Sequence, residues 1–124
     1  MGASNTAALI IGGRSPYVGN TEYWNGSAWS EGTEINTARK TFSGMGVAST
    51  ASIIAGGDAS PNTANAEVYN GSSWTEVNNL NTARISMSGF GTYTSAIGTS
   101  GYVSSPTKLA IVESWNGTSW TEVA

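Results

Sequence analysis

Cysteine and histidine are both missing from the chain. Without cysteine there are neither disulfides nor thiolate metal sites, and without histidine the commonest metal ligand and general base is gone as well. No cofactor or metal is expected. Charge is sparse too: Lys+Arg number 5 and Asp+Glu 8 in 124 residues, a net charge of -3. Neutralising a phosphate backbone takes many basic side chains on one surface, so nucleic acid is not an expected partner. No apolar run approaches the roughly 20 residues of a membrane helix. The first residues lack the charged and apolar regions of a signal peptide. No membrane association is expected.

Helix-favouring residues are scarce, whereas Gly 16, Trp 5 and Tyr 5 stand out among small polar side chains. That is the composition of short strands joined by tight turns, with aromatics supplying the packing. The expected class is all-β.

The chain repeats itself. Glu22-Tyr23-Trp24-Asn25-Gly26-Ser27-Ala28-Trp29 returns as Glu67-Val68-Tyr69-Asn70-Gly71-Ser72-Ser73-Trp74 and again as Glu113-Ser114-Trp115-Asn116-Gly117-Thr118-Ser119-Trp120, at steps of 45 and 46 residues. Asn36-Thr37-Ala38-Arg39 recurs as Asn81-Thr82-Ala83-Arg84, and Pro16, Pro61 and Pro106 keep the same step. Gly12-Gly13 and Gly56-Gly57 are matched by a degenerate Ser100-Gly101. Within one unit, strands are expected over 41–48 and 51–55, ended by Gly56-Gly57 where positive φ is needed. A loop with Pro61 follows, then strands over 66–69 and 73–77 around Asn70-Gly71, a dipeptide suited to a type I′ turn. Each unit therefore has four strands.

Four short strands at this period, with the Gly-Gly pair, the Glu-x-Tyr strand, the following Trp and the Arg that opens the next unit, resemble the kelch repeat of β-propellers. The resemblance covers essentially the whole chain and departs at Ser100, at Asn-Gly where kelch often has Asp-Pro, and at Trp115 in place of Tyr. It implies one repeat domain over 1–124, with kelch-like propeller blades at 1–35, 36–80 and 81–124. Residues 114–120 also resemble a shortened Asp-box of sialidase-like propellers, lacking one residue and the Asp.

Alignment of Met1-Gly2 with Met45-Gly46 makes the first blade truncated, and the third unit stops after its outer strand. Propellers close with about four to eight blades, so three are expected to close by self-association. A dimer forming a six-bladed ring is the simplest form, and contacts that fail to close would give a filament. A fragment of a longer repeat protein would carry the same edges.

Arg14 follows the first Gly-Gly, while Arg39, Lys40 and Arg84 lie on the connections between units. The resemblance implies that these positions share one face at the mouth of a central channel and bind acidic groups. The alternative is that Arg39 and Arg84 pair with strand glutamates such as Glu22, Glu67 or Glu113 and lock neighbouring units together. Tyr17 and Tyr102, in variable loops, are candidate sugar-stacking residues, and Asp58 in its loop is a further ligand candidate, though a lone carboxylate is a poor calcium site. Trp29, Trp74 and Trp120, repeating in register like Gly12, Gly13, Gly56 and Gly57, read as structural. The three Asn-Gly-Ser/Thr sequons are accounted for by turn chemistry.

Copper-radical oxidation of the kind found in some kelch-like propellers needs Cys and His ligands that the chain lacks, and a sialidase-like glycoside hydrolase, a lesser alternative, needs an arginine cluster with a tyrosine and carboxylates that only an assembled ring could supply. A non-enzymatic protein is expected. Repeats such as Trp-Asn-Gly-Thr-Ser-Trp-Thr-Glu-Val and Leu-Asn-Thr-Ala-Arg resemble tandem arrays in predicted bacteriophage proteins. This implies a structural or adhesive virion component, in a virion or extracellular setting. The alternatives are a carbohydrate-binding lectin module binding glycan, or a scaffold gripping an acidic peptide.

Overall fold

The computed structural model describes residues 1–13, 16–104 and 106–124, and among them the chain is all β with no helix. No helix long and apolar enough to cross a membrane is present among those residues. The first sheet consists of β1 (Gly2–Ser4), β2 (Ala7–Gly13), β3 (Val18–Trp24) and β4 (Trp29–Glu31), hydrogen-bonded in that order. The second holds β5 (Ser43–Ala48), β6 (Ala51–Ala55), β7 (Ala66–Tyr69) and β8 (Trp74–Val77). The third holds β9 (Ser88–Thr92), β10 (Ser95–Thr99), β13 (Val112–Trp115) and β14 (Trp120–Glu122). Its loop carries a separate hairpin, β11 (Tyr102–Ser104) with β12 (Thr107–Lys108). Every pairing within the sheets is antiparallel.

Side chains alternate across a strand, so each sheet has two faces. In the second sheet Ile54, Tyr69 and Trp74 turn towards the first and join Leu9 and Ile35 in one apolar cluster. Ile53, Ala55 and Ala66 turn the other way and join Met45, Leu80, Met87, Ala96, Trp115 and Trp120 in another. The first strands lie side by side, β1 against β5 and β5 against β9. The core is therefore two layers between three sheets stacked in chain order, with an aromatic pair across each hairpin: Trp24–Trp29, Tyr69–Trp74 and Trp115–Trp120, ring centroids 5.4, 4.9 and 5.4 Å apart.

Strands β6 and β7 occupy the residues that the pattern assigns to them. The strand expected from Thr41 starts only at Ser43, because Thr41 sits at φ 54, outside the β region. Ser86, its counterpart one repeat on, takes φ 53, and its N–H donates to the Thr41 carbonyl at 2.8 Å. The type I′ expectation at Asn70-Gly71 is corrected: it requires positive φ at both residues, and only Gly71, at φ 97, has it. Tyr69 and Trp74 are the last cross-strand partners. Asn70 Oδ1 accepts the N–H groups of Ser72 and Ser73, both at 2.9 Å, closing a four-residue loop by side-chain bonding. Asn25 and Asn116 do the same in their units.

The Gly-Gly expectation holds for Gly56 (φ 70) and Gly57 (φ 113), and Ser100 adopts φ 54 where the other copies have glycine. A side chain in that region costs about 1 kcal/mol. Ser100→Gly should therefore raise the melting temperature by roughly 3–5 °C. Gly57→Ala should lower it, since a Cβ there would lie 2.9 Å from the Lys40 carbonyl oxygen and 3.0 Å from Phe42 Cβ. Thermal unfolding by circular dichroism checks both directions.

Candidate functional site

The connections between sheets carry most of the basic residues, and the structure divides them into a buried set and a surface set. After β4 the chain passes through Ile35, buried in the first apolar layer, and presents Asn36 to β7. Asn36 N–H and Nδ2 donate to Glu67 Oε2 at 2.7 and 2.9 Å, and Nδ2 also reaches the Trp74 carbonyl at 3.1 Å. Arg39 Nη1 lies 2.7 Å from Glu67 Oε1, with both side chains fully buried. The next repeat reproduces this: Asn81 N–H and Nδ2 each reach Glu113 Oε2 at 2.8 Å, and Arg84 Nη1 lies 2.6 Å from Glu113 Oε1. Burial lowers the Arg39 pKa from its usual value, and Glu67 opposes that shift.

Arg39 and Arg84 are both fully buried against their glutamates. Neither guanidinium reaches the surface; each gives Nη1 to its glutamate, while Arg39 Nε and Nη2 and Arg84 Nε are buried without a hydrogen-bond partner among the described residues. Of the two roles considered from sequence, the geometry has the ion pair, with each arginine joined to the third strand of the sheet it enters. Asn36 and Asn81 were given no role from sequence, although the recurrence of Asn-Thr-Ala-Arg as a unit carried that signal.

The surface set lies where the loop after each second strand meets the connection between sheets. Lys40 and Asp58 form a backbone bridge, as do Ile85 and Tyr102 one repeat on. Both segments accordingly share a face, as the kelch resemblance implies. Three sequence candidates converge there across 41 residues. Tyr17 Oη donates to Asp58 Oδ2 at 3.0 Å, Lys40 Nζ lies 3.1 Å from the same oxygen, and Nζ stands 4.7 Å from the Tyr17 ring centroid. Asp58 Oδ1 accepts the Ser60 N–H at 2.9 Å. That backbone bond, then Lys40, holds the Asp58 carboxyl below its ordinary range, and the bond to Asp58 raises Lys40.

A groove of ≈ 400 Å³ lined by Ile11, Gly12, Gly13, Lys40, Thr41 and Phe42 adjoins this trio, and a wider one of ≈ 770 Å³ runs past Pro61, Asn62, Asn81, Ile85 and Val103. Tyr102 stands apart from the trio, paired with Lys108 across the β11–β12 hairpin. Arg14 lies outside the described residues. Trp74 and Trp120 are packed in the layers, and Trp29 is 46% exposed. Among the described residues no three His, Cys, Asp or Glu side chains group to hold a metal. The trio can offer hydrogen bonds and a cation to a polar ligand, but its carboxylate is already engaged by three donors.

The chain is an all-β protein of repeated four-stranded antiparallel sheets. No protein-family model matches it, and a search of curated proteins finds no match.

The pKa shifts fix a pH dependence. Asp58 is lowered on folding, so its contribution is present above the unfolded value of about 3.9 and is lost as pH falls through the folded one. Lys40 is raised, so its contribution is present below about 10.4 and is lost as pH rises through the folded value. Asp58→Asn should lower the melting temperature at neutral pH, with the gap from the parent chain closing as pH falls through the folded value. A gap unchanged by acid would mean that the trio is held by packing rather than charge.

Proposed function

We propose that the protein is a non-enzymatic structural or adhesive β-propeller component, built of kelch-like blades and completed by self-association. One observation carries this reading: the two outer faces of the stack are copies of faces that pack against each other inside it. On the first sheet, Ile10, Trp24 and Trp29 correspond to Ile54, Tyr69 and Trp74. Ile10 is 53% exposed and Ile54 0%. On the third sheet, Phe90, Ile97 and Val112 correspond to Met45, Ile53 and Ala66. Phe90 is 65% exposed and Met45 2%. A face of one type covering the other joins copies head to tail, and two copies make six blades.

Resemblance of the Trp-Asn-Gly-Thr-Ser-Trp and Leu-Asn-Thr-Ala-Arg repeats to arrays in predicted bacteriophage proteins supports a place in a virion tail, fibre or decoration. Ligand contact is assigned to the loop-bearing face. The meeting of Tyr17, Lys40 and Asp58 beside a groove supports a second reading, a carbohydrate-binding module, which a glycan array on the assembled protein tests.

Light scattering at several concentrations should give twice the 12.7 kDa chain mass. Phe90→Asp, which places a charge in the proposed contact, should return the species to monomer. A parent chain that is well folded and monomeric at every concentration would refute the head-to-tail reading.

A further inference from the structure

Three glutamates occupy the same place in the repeat, Glu22, Glu67 and Glu113, but the chain has only two Asn-Thr-Ala-Arg segments. Both are in use, Asn36 and Arg39 on Glu67, Asn81 and Arg84 on Glu113. Glu22 has no hydrogen bond or ion pair from its side chain among the described residues, and it is exposed where its two counterparts are fully buried. Its place in the strand register is nonetheless the same. Glu22 lies opposite Glu31 and two residues before Trp24, as Glu67 lies opposite Glu76 and two residues before Tyr69, and the Trp24–Trp29 pair flanks it as Tyr69–Trp74 flanks Glu67. The pairing also sets two carboxylates side by side on an open face that has no cation from the described residues, an arrangement that favours an incoming positive charge.

We propose that the face bearing Glu22, Trp24 and Trp29 is a binding site for an extended segment of the type Leu-Asn-Thr-Ala-Arg. Its asparagine takes Glu22 Oε2 and the Trp29 carbonyl, and its arginine takes Glu22 Oε1. The two filled copies define the ligand: a backbone N–H and carboxamide on one oxygen, a guanidinium on the other, and an apolar residue before the asparagine, as with Ile35 and Leu80. Charge complementarity and the exposed Trp29 and Ile10 beside the carboxylate select this occupant over a purely apolar one. The site does not depend on ring closure. In a head-to-tail assembly the segment would bind at the junction, which the apolar faces alone leave without its arginine.

The test is fluorescence anisotropy of a labelled peptide with the sequence Asn79–Phe90, titrated with the whole chain. Saturable binding is expected, weakened at least about tenfold by Glu22→Gln in the chain and by Arg84→Ala or Asn81→Ala in the peptide. Glu22 is exposed, so the Gln variant should keep the parent circular dichroism spectrum, and the peptide variants leave the chain untouched. Absence of binding, or binding indifferent to Glu22, as it would be if the peptide displaced the native segment at Glu113, would overturn the proposal. Light scattering of the same samples reports assembly separately, so loss of the head-to-tail reading and loss of this site are distinguishable.

Discussion

A carboxylate with no water around it must be compensated in full, and the stacking of the sheets follows from how Glu67 and Glu113 achieve this. Removing an ion from water costs several kcal/mol, which a single counter-charge does not reliably offset. Here each buried glutamate receives a backbone N–H, a carboxamide and a guanidinium, all from one short stretch of the connection that enters its sheet. Because that connection arrives from the preceding sheet, satisfying the charge also fixes where the preceding sheet ends. The apolar layers supply non-directional attraction. The latch supplies register.

The same logic makes the first sheet different in its chemistry although not in its sequence. Trp24 and Trp29 retain the cross-strand contact of their counterparts, and Glu22 its place beside them. What changes is the covering, so residues that are core in two copies are surface in the third. An exposed tryptophan and isoleucine surround a carboxylate with no cation among the described residues, an apolar patch of the kind that marks interaction surfaces.

The period of 45 and 46 residues gave the sheet count and the strands β6 and β7, because these depend on local alternation and on glycine at positive φ; the shared face of loops and connections came only from the kelch resemblance. Hydrogen bonding that competes with local propensity was less legible. Asn70 holds its turn through Oδ1 instead of adopting the left-handed conformation, and Thr41 leaves its strand to offer a carbonyl to the next unit. The β11–β12 hairpin belongs to a loop that shares the Ser-Pro pair of the other copies but not the residues on either side of that pair. Of the site, the trio's members were legible one by one as variable-loop residues, but their meeting was not, since Tyr17 and Asp58 are brought together only by sheet stacking. Arg39 and Arg84 were visible as repeats, and recurrence in each unit pointed to the packing role that their burial against Glu67 and Glu113 displays.

The central claim is that the buried glutamate and the connection's arginine act as one unit. A double-mutant cycle of Glu67→Gln and Arg39→Met, followed by denaturant unfolding, measures this directly. The account predicts a coupling of roughly 1–3 kcal/mol, with either single change costing more than its share of the double. Additive effects, with coupling near zero, would contradict it and leave the sheets held by apolar packing alone.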